Sequence, residues 1–82
     1  MVNVLFLCTH NSARSVIAEV LLNTLGKGKF TGFSAGSSPK TDVNPIAREI
    51  AEEMRYDTKK LYSKSWDEFA KPNAPKMHVV IT

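Results

Sequence analysis

The sequence predicts an α/β fold, a parallel sheet of about three strands flanked by helices, and three observations carry that prediction. An apolar run near the amino terminus ends in a cysteine and passes within a few residues into a helical pattern. Two further short stretches rich in β-branched or aromatic residues follow, at Phe30–Ala35 and Met77–Thr82. Between successive stretches lie segments long enough for the helical crossovers that parallel strands require. With 82 residues the chain makes one small domain, 1–82, with no internal repeat and no low-complexity segment.

The elements follow in order. Val2–Leu7 is apolar except for Asn3 and reads as a strand buried on both faces. Ala13–Leu25 reads as a helix with Ala18, Leu21, Leu22 and Leu25 on its apolar stripe and Gly26 as a left-handed terminator. Phe30–Ala35 is the second strand, and Gly36–Val43, with Ser37, Ser38, Pro39, Thr41 and Asp42, is a loop. Asn44-Pro45 offers an N-cap followed by proline, starting a helix that runs to about Met54, with Ile46, Ala47, Ile50, Ala51 and Met54 inward and Glu49, Glu52 and Glu53 outward. Arg55–Lys64 is irregular, with Tyr56, Leu61 and Tyr62 available for packing. Ser65-Trp66-Asp67-Glu68 has the capping-box pattern of a short helix that stops by Pro72.

Composition narrows the function classes. The net charge of +3 comes from scattered lysines without interleaved aromatics, which argues against a nucleic-acid partner. No segment has the roughly 20 apolar residues of a membrane span, and the first residues lack the basic and apolar regions of a signal peptide, so the expectation is a cytoplasmic location with no membrane partner. Cys8 is the sole cysteine, so no internal disulfide is possible; it is either a buried structural thiol or a reactive one. No bound cofactor and no metal are expected.

The residues after the first strand carry the chemistry. Cys8-Thr9-His10-Asn11-Ser12-Ala13-Arg14-Ser15 places a thiol at a strand end, five residues ahead of an arginine where a helix begins. In an open α/β sheet the ligand crevice lies beyond the carboxyl ends of the strands, so this loop is its natural floor. Backbone N–H groups converging at a helix start, together with the planar fork of Arg14, suit a tetrahedral oxyanion such as phosphate or arsenate. The same field brings a cysteine thiol from its usual value near ~8.5 to roughly 3.5–7.5, making Cys8 a nucleophile. Ser15 can donate to the sulfur, and Asn11 tolerates left-handed backbone geometry in a tight turn.

The run Leu5–Ser15 with Ile17-Ala18-Glu19, together with Ser34-Ala35-Gly36-Ser37, Asn44-Pro45 and Ser63-Lys64-Ser65-Trp66, resembles the low-molecular-weight protein tyrosine phosphatases, and within them the arsenate reductases built on the same fold. The resemblance spans the whole chain and implies the amino-terminal part of that Rossmann-like, three-layer fold. It implies that Cys8 is the nucleophile and Arg14 the oxyanion clamp, with Ser15 assisting. The substrate would be held by Thr9, His10, Asn11, Ser12, Ala13 and Arg14, and the loop by a network of Asn11, Ser15 and Ser34.

The phosphatases proceed through a phosphocysteine; the reductases attack arsenic and complete reduction with a second thiol. Two positions depart from the family pattern: His10 stands where glycine is usual, and Ala13 where many members have cysteine. Lacking a second cysteine, a reductase of this sequence needs an outside thiol donor or redox protein: glutathione, mycothiol, glutaredoxin or thioredoxin. Family members also continue past the third strand, with an aspartate that protonates the leaving group, for which Asp42, Asp57 and Asp67 are no replacement. The expectation is therefore a truncated domain whose last strand, Met77–Ile81, is an apolar edge that pairs with a second copy. The Ser37–Val43 loop, with Lys40 among small polar residues, favours a bare anion over an aryl phosphate. Two other functions stand beside arsenate reduction: phosphatase action, and a non-catalytic module that binds oxyanions or self-assembles.

Overall fold

The computed structural model describes residues 1–11, 13–39 and 42–82. Three strands, β1 (Val2–Cys8), β2 (Phe30–Gly36) and β3 (Val79–Ile81), form one sheet in the order β2-β1-β3. Both pairings are parallel: β1 matches β2 from Val2 opposite Phe30 to Cys8 opposite Gly36, and β3 lies beside Val4–Phe6. The strand that ends in the cysteine is therefore central. Asn3, the polar interruption in β1, ties down the lead-in to β3: its backbone N–H donates to His78 Nδ1 at 2.9 Å, its Nδ2 to the Lys76 carbonyl at 2.8 Å, and its backbone carbonyl accepts from His78 N.

Helix α1 (Arg14–Leu25) packs on β2, and α2 (Pro45–Glu53) packs on α1. The core joins Val16 and Val20 of α1 to Val43, Ala47, Ala51 and Leu61, with Ile17, Met54 and Tyr56 against them. This corrects the expected α1 stripe. Leu21 and Leu25 are exposed, Leu25 to 79 %, and Val16 and Val20 take the interior. The helix is apolar nearly all round, so periodicity singles out no face. Val16 and Val20 pack on Ala47 and Ala51 of α2, Val43 and Leu61; beside them Gly32, where a Cβ would come within 3.2 Å of the Glu19 carbonyl and 3.3 Å of Leu22 Cβ, lets β2 approach α1.

Helix α2 starts as its sequence predicts, with Asn44 Oδ1 accepting from Ile46 N at 2.8 Å and Pro45 in the first turn. Ile46 nevertheless points outward, because Ala47 and Ala51, one turn apart, make the contact face. At its end Arg55 adopts φ 59°, with Tyr56 N donating to the Ala51 carbonyl and Arg55 N to that of Glu52. That is a Schellman ending made without glycine.

Gly26 in turn is not a left-handed cap. Its φ is −98°, and its value lies in space, since a Cβ would stand 2.9 Å from the Leu22 carbonyl oxygen. The left-handed glycine is Gly28, at φ 92° in the following turn.

The connection after α2 contains 3₁₀ turns at Thr58–Lys60 and Trp66–Phe69. The second begins at Ser65, whose Oγ accepts from Asp67 N at 3.2 Å, but the Glu68 carboxylate accepts from Tyr62 instead of closing a capping box. Phe69 is anchored edge-on to Phe33 of β2 at 5.7 Å between ring centres. No helix among the described residues is long and apolar enough to cross a membrane.

Candidate active site

The site grows from the carboxyl end of β1. Cys8 is the last strand residue and half-buried. Its Sγ receives Asn11 N at 3.2 Å and lies 2.9 Å from Ser15 Oγ. Asn11 Nδ2 donates to that same hydroxyl at 2.9 Å, so the hydroxyl, accepting there, has its own proton to direct at sulfur. Two donors thus converge on Cys8 Sγ, an arrangement that favours the thiolate.

Asn11 organises the loop. Its φ of 50° is the left-handed geometry expected of an asparagine in a tight turn, and it is wholly buried. Its Oδ1 accepts from Lys64 N at 2.8 Å and its carbonyl from Ser63 Oγ at 2.7 Å. The Cys8 and Thr9 carbonyls accept from Ser37 N and Ser38 N at 3.3 and 2.8 Å. The carbonyls of Cys8, Thr9 and Asn11 are therefore taken up by the flanking segments.

Arg14 opens α1 and is exposed beside Cys8, Thr9, Ser15 and Ser37 in a cavity of about 460 Å³. The residue at the helix N-cap, Ala13, has no side chain to occupy the first-turn N–H groups. Thr9 and His10 are exposed, and Thr9 lines the cavity. Ser12, and Lys40 and Thr41 in the loop expected to exclude an aryl ring, lie outside the described residues. The Ser34 hydroxyl donates to Glu19 Oε1 at 2.8 Å, facing α1 from the middle of β2. Among the described residues no three His, Cys, Asp or Glu side chains gather as a metal centre would need.

Three contributors to the loop escape a reading of the sequence alone. Ser63 and Lys64 hold Asn11 across more than 50 residues of chain. At Gly36, a Cβ would fall 2.7 Å from the Thr9 carbonyl oxygen and 2.9 Å from Asn11 N. A glycine closing a strand next to a loop was the available signal. Ser65 makes a parallel bridge to Gly36, which brings half-exposed Trp66 to the wall of the Cys8 cavity.

Beneath the loop, burial pushes the Glu19 carboxyl above its usual range, opposed by the Lys64 ammonium and by hydrogen bonds from Ser34 and Tyr56. Burial pulls the Lys64 ammonium below its usual range, opposed by Glu19 and Glu68.

Known proteins of this shape carry related descriptions. A family model described as low molecular weight phosphotyrosine protein phosphatase matches residues 3–82. A glutaredoxin arsenate reductase of Synechocystis sp. is 37 % identical over all 82 residues, which span 60 % of its length. A structure of an arsenate reductase in the phosphate binding state superposes with a TM-score of 0.78 at 36 % identity, over 98 % of this chain and 58 % of that one. The thioredoxin-dependent arsenate reductase of Corynebacterium glutamicum gives 0.75 at 26 % identity, over 100 % of this chain and 49 % of its own. The sequence thus spans between about half and three-fifths of the length of these relatives. With a strand-loop-helix site at the end of β1 and a family match over nearly every residue, the chain belongs to the low molecular weight phosphotyrosine protein phosphatase family.

Proposed function

We propose that the chain carries the nucleophilic half of a thiol-dependent arsenate reductase. The convergence of Asn11 N and Ser15 Oγ on Cys8 Sγ, beside Arg14 at an uncapped helix start, is the observation that carries this reading. Arsenate seats its oxygens on the loop N–H groups and the Arg14 fork, with Thr9, His10, Asn11, Ser12 and Ala13 forming the cradle. The Cys8 thiolate attacks arsenic to form the S–As bond, and one As–O bond breaks as an arsenate hydroxyl takes a proton from solvent and leaves as water, giving a cysteinyl arsenate.

An external thiolate then attacks Cys8 sulfur. The S–As bond breaks with its electron pair on arsenic, releasing arsenite and leaving a mixed disulfide. A second thiol restores Cys8 and departs as the oxidised donor. The printed names of the relatives, a glutaredoxin and a thioredoxin enzyme, support a redox protein as donor; glutathione and mycothiol have the same chemistry. A reducing cytoplasm suits such a cycle.

Phosphatase action is the second reading, and the family match together with Trp66 on the cavity wall favours it: an indole is a surface for an aryl ring. The deciding measurement is arsenite release with each thiol donor beside hydrolysis of an aryl phosphate. Thiol-dependent arsenite release that falls about 10³-fold or more in Cys8→Ser is expected. Aryl phosphate turnover without arsenite release would replace the reductase with the phosphatase. Protection of Cys8 by phosphate with neither activity would leave an oxyanion-binding module.

A further inference from the structure

The polar side chains that the fold buries among the described residues, Asn11, Ser15, Glu19, Ser34 and Lys64, form one connected set ending on Cys8. Glu19 lies one turn beyond Ser15 on α1. Its Oε1 accepts from Ser34 and stands 4.0 Å from Lys64 Nζ, and its Oε2 accepts from Tyr56 OH at 3.2 Å. Asn23 donates to that phenol at 3.1 Å and brackets Gly32 of β2, donating to its carbonyl and accepting from its N–H. Lys64 Nζ donates to the Tyr62 carbonyl at 3.1 Å and sits 4.5 Å over the Tyr62 ring. The Lys64 backbone N–H is the one that holds Asn11 Oδ1.

One residue therefore reaches α1 with its side chain and the oxyanion loop with its main chain. A buried ion pair is poor evidence of stabilisation, since apolar residues of similar volume often serve as well, so its presence here calls for another role. We propose that the Glu19–Lys64 pair positions the oxyanion loop, by clamping residues 62–64 to α1 so that the Lys64 amide fixes Asn11, and through Asn11 the two donors on Cys8 Sγ. This rests on the reading of Cys8 as the nucleophile. The pair also borders a second cavity, of about 750 Å³, whose other titratable side chains are Tyr56, Tyr62, Lys27, Lys60 and Glu68.

The sign of one substitution separates positioning from simple electrostatics. Glu19→Gln removes a negative charge near the thiol, which by Coulomb's law alone favours the thiolate. Loss of position instead moves the donors off sulfur and disfavours it. In the full chain, the rate of Cys8 alkylation by iodoacetamide is followed against pH, with and without inorganic phosphate.

For Glu19→Gln the expected result is a titration moved to higher pH and a phosphate requirement for protection raised about tenfold, the scale of a modest misplacement. Lys64→Met is expected to do the same and Lys64→Arg to recover most of the protection. A Glu19→Gln titration that is unchanged or moves to lower pH overturns the proposal, even where the melting temperature falls. Should these variants not fold, Tyr56→Phe keeps the ring, removes one bond to Glu19, and is expected to shift both readouts about threefold the same way; no shift overturns the proposal. Wild-type Cys8 that phosphate does not protect brings down the site reading itself, a different failure from a protected wild type with indifferent variants.

Discussion

The two sides of the central strand β1 are built differently. At its carboxyl end, Cys8, Asn11 and Ser15 are held by hydrogen bonds supplied from β1, α1 and residues 63–64, and every buried side-chain polar atom among the described residues has a partner. Along β3, Val79, Val80 and Ile81 are each between 43 and 52 % exposed, and Leu21 and Leu25 of α1 add further apolar surface. The difference teaches that the polar groups of the Cys8 loop are satisfied among the described residues, whereas the apolar side chains of β3 stay exposed. A hydrogen-bonded loop and an exposed apolar edge thus lie on either hand of the central strand.

The strongest way to break this contrast is to disturb the loop from outside it. Gly36→Ala places a Cβ against the Thr9 carbonyl and Asn11 N, both of them backbone atoms that cannot swing aside. Overpacking of this kind costs about 1–3 kcal/mol, so phosphate affinity should fall by up to roughly 5- to 150-fold while β3 is unaffected. Competition of phosphate with alkylation of Cys8 measures it; unchanged protection would show that the loop is not held by this contact.

The contrast also explains how much could be read from the residues alone. The strand, the thiol, the helix start at Arg14 and the Asn44-Pro45 cap are legible because each depends on neighbours a few positions away. Asn11 is legible as a left-handed turn residue for the same reason. Its partners Ser63 and Lys64 are not, since a serine and a lysine in an irregular stretch carry no mark of a contact formed across the fold. Nor does the clash that makes Gly36 necessary exist until β2 and the loop meet. On α1, apolar residues on every side left the buried face to be set by the packing of Val16 and Val20 on α2 and Leu61.

The open edge is probed by a charge. Val80→Lys, at the centre of β3, blunts the apolar rim in the way natural edge strands are protected. The chain is expected to show a concentration-dependent mass in sedimentation that the variant loses, with phosphate protection of Cys8 retained. A wild-type chain that stays monomeric over a broad concentration range would remove self-pairing through β3.

The smallest effect expected lies beneath the loop, in the pH dependence of stability. Burial raises the Glu19 carboxyl above its ordinary value of 4.5, so the folded chain holds that proton more tightly than the unfolded one. The contribution to stability is then fully present below pH 4.5 and lost as pH rises through the folded value. Lys64 works oppositely: its ammonium is lowered from 10.5, so its contribution is present above 10.5 and lost as pH falls through the folded value. Where both groups are charged both burial costs are in force, offset by their mutual attraction. Glu19→Gln removes the first titration, so the stability of wild type relative to this variant should decline as pH climbs from 4.5, read from urea midpoints at several pH values. A relative stability that instead rises with pH would mean that attraction to Lys64 outweighs burial, and that the pair stabilises the fold as well as placing the loop.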